Sequence, residues 1–209
     1  MVLRAEDGLR VRGDVVIESG GTISGFTRAG LDKDSLVVFP IPFESWRVWN
    51  SGAILPNVSA LDDLGLYTGT FATDVSSLKT YDVKTVGATS LYARVSFSMP
   101  AEYVDADSCT IRVRAGMLGA VADTSCTLDC EAYLSNDESI KTGSDLCSTA
   151  AQSVNSLTFA NYTFTLDGTV LSTGSQLDIR LTIAVNDGAG GASVQAGIGA
   201  AAILCDIRG

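Results

Sequence analysis

The chain has 209 residues, 46% of them apolar, with 14 basic and 24 acidic side chains for a net charge of −10, and it contains no histidine. An acidic chain of this kind is a poor partner for a phosphate backbone or an anionic membrane, which select surfaces rich in Lys and Arg. The missing histidine removes the usual general base, the Ser-His and Cys-His nucleophilic pairs and the commonest zinc ligand, and with them most familiar enzyme chemistries.

The N-terminal residues Met1 to Asp7 lack the apolar core of a signal peptide, and no stretch approaches the roughly 20 apolar residues of a membrane span. A protein made in a cytosol is expected. Residues 1–35 alternate β-forming side chains with glycines and hold no long apolar run. A ribbon of that composition cannot bury enough surface to stand alone. It reads as an extended β arm that leans on sister subunits or another protein, with Val11, Val15, Ile17, Ile23 and Phe26 as its contact side chains. Arg12-Gly13-Asp14 within it reads as an ordinary glycine turn between charges.

From Leu36 onward the pattern is that of strands. Period-two alternation of apolar and polar residues is clearest over Leu91 to Met99, Cys109 to Met117, Cys126 to Leu134 and Leu177 to Val185. Weaker candidates are Leu36 to Phe43, Leu64 to Phe71, Leu78 to Val83, Leu157 to Leu166 and Gly190 to Ile207. The last contains Ala200 to Cys205, apolar on both faces, which suits a central strand or a subunit contact. Strands at this spacing, separated by Gly, Asn, Asp and Ser, predict an all-β fold: an antiparallel β-sandwich of jelly-roll type over residues 36–209, preceded by the arm.

The charged residues have a simple structural explanation. If 109–117 and 125–134 form a hairpin, Arg114 comes opposite Asp129 and Arg112 opposite Glu131, a favourable pairing on the outer face. In that register Cys130 faces Val113 and Cys126 faces Met117, so no disulfide joins Cys109, Cys126 and Cys130. The five cysteines, these three with Cys147 and Cys205, are odd in number and lack C-x-x-C spacing, and they read as small buried hydrophobes. Asp105-Ala106-Asp107 and Asn186-Asp187-Gly188 offer oxygen ligands but lack a calcium loop with its closing Glu, and no cofactor or metal is expected. The carboxylate pairs Asp62-Asp63 and Asp129/Glu131 carry no glycosidase signature, and no catalytic residue is assigned.

Both tryptophans fall in Phe43 to Trp49, beside Pro40 and Pro42. Trp46 and Trp49 are candidate contact residues, one serving the core and the other a subunit interface or a ligand platform.

Pro40-Ile41-Pro42-Phe43-Glu44-Ser45-Trp46-Arg47-Val48-Trp49, the strand Tyr92-Ala93-Arg94-Val95 ending in Pro100-Ala101-Glu102-Tyr103, and Ala184-Val185-Asn186-Asp187-Gly188 before an Ala-rich strand together carry a likeness over about Phe39 to Ile207. In these features the chain resembles the β-sandwich accessory proteins of tailed-bacteriophage virions, which decorate the head or form its fibres. The resemblance implies a non-enzymatic virion structural protein, made in the host cytoplasm, homotrimeric, and bound to the major capsid protein or another virion protein through its arm, with no nucleic acid or membrane partner. The alternative class is a carbohydrate-binding module or adhesin that takes a surface glycan on Trp49, Tyr67 or Tyr81. A third class, a hydrolase, would need a deep acidic pocket with two carboxylates about 5–10 Å apart.

Overall fold

The computed structural model describes residues 35–84, 86–119, 121, 124–135, 141–188 and 193–207. The expected arm, with Val11, Val15, Ile17, Ile23 and Phe26, lies outside the described residues. In chain order the strands are β1 (Ser35–Pro40), β2 (Gly65–Tyr67), β3 (Ser77–Lys79), β4 (Gly87–Ser98), β5 (Cys109–Met117), β6 (Thr124–Ser135), β7 (Lys141–Thr142), β8 (Gln152–Ser153), β9 (Ala160–Leu166), β10 (Gln176–Asp187) and β11 (Ala196–Ile207). The four strongly alternating segments become the long strands β4, β5, β6 and β10. The weaker 64–71 and 78–83 segments shrink to the three-residue strands β2 and β3.

Two antiparallel sheets pack face to face as a β-sandwich of jelly-roll type. The first runs β2-β3-β11-β5-β9 with β1 also on β11; the second runs β4-β10-β6-β7 with β8 also on β6. Alternation dictates the packing, because every second side chain of a strand points to the same face. Ile111, Val113 and Ala115 of β5 and Ile203 and Cys205 of β11 turn inward from one sheet. Leu91 and Ala93 of β4, Leu128 and Ala132 of β6, and Ile179, Leu181 and Ile183 of β10 meet them from the other. All are fully buried, and each large aliphatic side chain so enclosed contributes roughly 1.5–3 kcal/mol. The Ala-rich segment is central, with β1 and β3 along one edge of β11 and β5 along the other.

One expected pairing is overturned. β5 and β6 are consecutive but not partners: β5 lies between β11 and β9, whereas β6 lies beside β10 in the opposite sheet. Arg112 faces Ala202 and Thr163, Arg114 faces Ala200 and Asn161, and Glu131 faces Arg180 instead of Arg112. Cys130 is level with Leu181 and Cys126 with Val185. The physical reason is that a hairpin and a crossing from one sheet to the other bury the same alternate residues, so alternation alone does not choose between them.

Candidate functional site

The second sheet turns an ordered set of polar and aromatic side chains to the outside. Pairing of β10 with β6 sets Arg180 opposite Glu131, Asp178 opposite Tyr133 and Thr182 opposite Asp129. On its other side β10 meets β4 with Gln176 opposite Ser98, and the Ser98 hydroxyl donates to the Gln176 side-chain oxygen at 2.7 Å. Two arginines of this face each have their own carboxylate: Arg94 Nε donates to Asp178 Oδ1 at 2.6 Å, and Arg180 pairs with Glu131. Asp129 lies on the same face, and burial first, then the Glu131 and Asp145 carboxylates, push its carboxyl above the usual carboxylate range.

Aromatic rings stand at both ends of this ion-paired floor. The segment carrying the tryptophans runs along the free side of β4, with Arg47 N–H donating to Arg94 O at 2.8 Å and Arg94 N–H to Arg47 O at 3.0 Å. Trp46 is enclosed in the core at 0% exposure, while Trp49, three residues on, lies on the outer face. The Trp49 indole Nε1 donates to Asp62 Oδ2 at 3.0 Å, and its ring centroid is 5.0 Å from that of Tyr92 at an interplanar angle of 50°. The Arg180 guanidinium lies 5.5 Å from the Trp49 ring and 5.0 Å from the Tyr92 ring, within cation–π range. At the other end Lys141 Nζ sits 3.5 Å from the centre of the Tyr133 ring, whose hydroxyl donates to Glu131 at 3.4 Å. Between the ends lies an open depression of about 180 Å³, with Trp49, Tyr133 and Lys141 on its walls and the two ion pairs on its floor.

The surface commits each floor carboxylate to an arginine, Asp178 to Arg94 and Glu131 to Arg180. What it offers is flat apolar area flanked by fixed donors and acceptors. A ring compound with a C–H face and a rim of hydroxyls matches that chemistry.

Of the two tryptophans taken from the sequence as contact residues, one for the core and one for a surface, Trp46 is the core member, fully enclosed and with no surface to give a partner. Trp49 is placed on a platform, but Tyr67 and Tyr81 do not join it. They line a separate recess of about 420 Å³ beside β2 and β3 of the first sheet, where Lys79 Nζ lies 3.6 Å from the Tyr67 ring centre. Asp62 is engaged by the Trp49 indole, and Asp105 Oδ1 accepts the Thr173 backbone N–H at 2.7 Å, so both serve local structure. Among the described residues no group of three or more His, Cys, Asp or Glu side chains is placed to hold a metal ion. Tyr92, Tyr133 and Arg180 were not singled out from the sequence. Their signal was present as outward positions of alternating strands, but nothing local says that they share one patch.

No family model matches the sequence, and no curated protein matches it. Among solved structures, the chain is similar to the CBM22-1 xylan-binding domain of Paenibacillus barcinonensis Xyn10C, with 11% identity over 84% of this chain and 97% of that one and a TM-score of 0.44. It is also similar to the Stig cyclase Fisc of Fischerella sp. TAU, with 16% identity over 84% of this chain and 100% of that one and a TM-score of 0.44. The mannan-recognising module TmCBM27 shows 15% identity over 82% of this chain and 98% of that one, with a TM-score of 0.41.

Proposed function

We propose that the protein binds a carbohydrate on the outer face of its second sheet, without chemical turnover. The observation that carries this reading is the pairing of aromatic rings with an ion-paired floor: Trp49 beside Tyr92 at one end, Tyr133 at the other, and Arg94–Asp178 and Arg180–Glu131 between them. A pyranose presents apolar C–H groups on its faces and hydroxyls at its rim. Stacking on Trp49 or Tyr133 buries the first, and the arginines and carboxylates exchange charge-assisted hydrogen bonds with the second. Because the floor groups are held by one another across rigid strands, little side-chain freedom is lost on binding. The depression is open and shallow, which suits a chain of sugar units lying across it. Screening the full chain on a glycan array and confirming hits by calorimetry tests the reading; hits insensitive to Trp49→Ala and Tyr133→Ala overturn it.

A second proposal is a virion accessory role, in which the N-terminal arm docks on the shell or on sister subunits of a homo-oligomer. It is supported by β1, which pairs on one side only among the described residues and exposes Leu36 at 63% and Val38 at 44%. An apolar edge strand of this kind is a surface that proteins normally cover. Deleting residues 1–34 is expected to leave the sandwich folded and to abolish association with particles; an unchanged copy number on particles overturns the role.

A further inference from the structure

The outer face of the first sheet carries a trough that the sugar-binding reading does not use. The order β2-β3-β11-β5-β9 places Tyr67 of β2 and Phe159, one residue before β9, on opposite sides of three strands. Between them the outward positions are glycines, because Ala115, Met117, Ala196 and Ile198 point into the core. Gly197 pairs with Gly116, and Gly199 is left over where the register of β11 shifts between Ile198 and Ala200. A bulge at a strand glycine marks a place where another group can approach the backbone closely. A Cβ on Gly116 would lie 2.8 Å from the Phe159 ring and one on Gly197 would lie 3.0 Å from the end of Leu118, whereas one on Gly199 would meet Phe159 at 3.5 Å, an ordinary contact. Phe159 and Leu118 therefore rest on bare sheet backbone, and with Tyr67, Val75, Lys79 and Arg114 they wall an open recess of about 460 Å³. It adjoins the recess that holds Tyr81 and shares Tyr67 and Lys79 with it.

Arg114 and Lys79 bring two positive charges to this recess, and among the described residues neither has a carboxylate within ion-pair range. The Lys79 ammonium lies 3.6 Å from the Tyr67 ring centre. The one carboxylate of the lining, Asp74, is turned instead to the Tyr67 hydroxyl at 3.2 Å and the Thr70 N–H at 3.2 Å. In a chain of net charge −10, two cations left without a counterion make this a local positive site on an acidic surface. We propose that the trough binds a small organic carboxylate with a flat apolar ring. The carboxylate takes the planar fork of Arg114 as a bidentate pair, and Lys79 supplies the second cation. The ring lies over Gly199, with Phe159 and Leu118 on one side of it and Tyr67 on the other. The three glycines leave the floor flat, the charges fix which end of the ligand points to β5, and the site is on the sheet opposite the glycan face.

Naphthoate is the probe, titrated into the folded full chain and followed by amide chemical shifts, with naphthylmethanol, acetate and inorganic phosphate as comparisons and circular dichroism to verify the fold of each variant. The expected result is shifts centred on residues 114–118 and 197–199 and an affinity that falls with added salt, with naphthylmethanol and acetate each weaker by about tenfold or more. Arg114→Gln is expected to weaken naphthoate by about tenfold or more, whereas Arg112→Gln, on the same strand but outside the recess, should change it by less than about twofold. Gly199→Leu fills the floor and should weaken naphthoate and naphthylmethanol together; if that variant does not fold, Gly199→Ala, whose methyl meets Phe159 at an ordinary distance, takes its place. No binding, naphthylmethanol as tight as naphthoate, acetate or phosphate as tight as naphthoate (an adventitious anion only), equal losses in Arg112→Gln and Arg114→Gln, or shifts confined to the second sheet overturns the proposal.

Discussion

Arg180 sits directly across from Glu131 on adjacent antiparallel strands, and its guanidinium pairs with that carboxylate while facing the rings of Trp49 and Tyr92. One side chain therefore joins the ionic floor of the depression to its aromatic end. Replacing Arg180 with Ala is expected to change stability by less than about 1 kcal/mol, because the pair is partly solvated. Any glycan affinity should fall by about tenfold or more, equivalent to about 1.4 kcal/mol. Arg180→Lys keeps the charge but not the planar fork, and should recover less than half of the loss in free energy. Calorimetry and urea unfolding on the same preparations separate the two effects.

The two tryptophans predict opposite phenotypes. Trp46 is fully buried, and Trp46→Ala should cost about 3–5 kcal/mol in urea unfolding by leaving a large cavity. Trp49 is held from outside by Asp62 and Tyr92. Trp49→Ala should cost less than half as much and act chiefly on binding. Equal destabilisation by both variants would contradict the placement of Trp49.

Acid–base linkage gives a third prediction. Burial first, then the neighbouring Glu131 and Asp145 carboxylates, raise the Asp129 pKa in the folded state. A raised carboxylate favours the fold when protonated, and that contribution is lost as pH rises through the folded value. At neutral pH the ionised Asp129 is therefore a burden, and Asp129→Asn should raise the melting temperature at pH 7. The advantage should vanish as both states become protonated below the ordinary carboxylate pKa of about 4. Melting both proteins from pH 7 to pH 3 checks this; a pH-independent difference would contradict it.

Gly168 supplies a steric test. A Cβ added there would lie 1.7 Å from the Asp107 carbonyl oxygen, where backbone must move, whereas one added at Gly197 would meet the end of the Leu118 side chain at 3.0 Å. Gly168→Ala is expected to lower the urea midpoint severely and Gly197→Ala only slightly.

The strands were legible because half-buried sheets write a two-residue period into the sequence, and β4, β5, β6 and β10 each carry it over many residues. β2 and β3 were overextended, since their few paired residues are set by neighbours across the sheet and not by local pattern. Pairing was less legible for the same reason: the alternation of β5 and β6 fits a hairpin as well as a crossing between sheets. The candidate site inherits this limit. Tyr92, Glu131, Tyr133, Asp178 and Arg180 were each readable as outward-facing, yet Arg94 and Asp178 meet across 84 residues of chain. Trp46 and Trp49 were ambiguous until the β4 edge separated a core side from a solvent side.

The central claim is that the Trp49–Tyr133 face of the second sheet is the binding surface. Its most direct test is glycan binding by the full chain, measured by calorimetry for the unmutated protein and for Trp49→Ala, Tyr133→Ala and Tyr67→Ala, with folding of each verified by circular dichroism. The account predicts binding that is lost in the first two variants and kept in Tyr67→Ala, which alters only the separate recess of the first sheet. Binding that survives Trp49→Ala and Tyr133→Ala, or that is lost only with Tyr67→Ala, would contradict it.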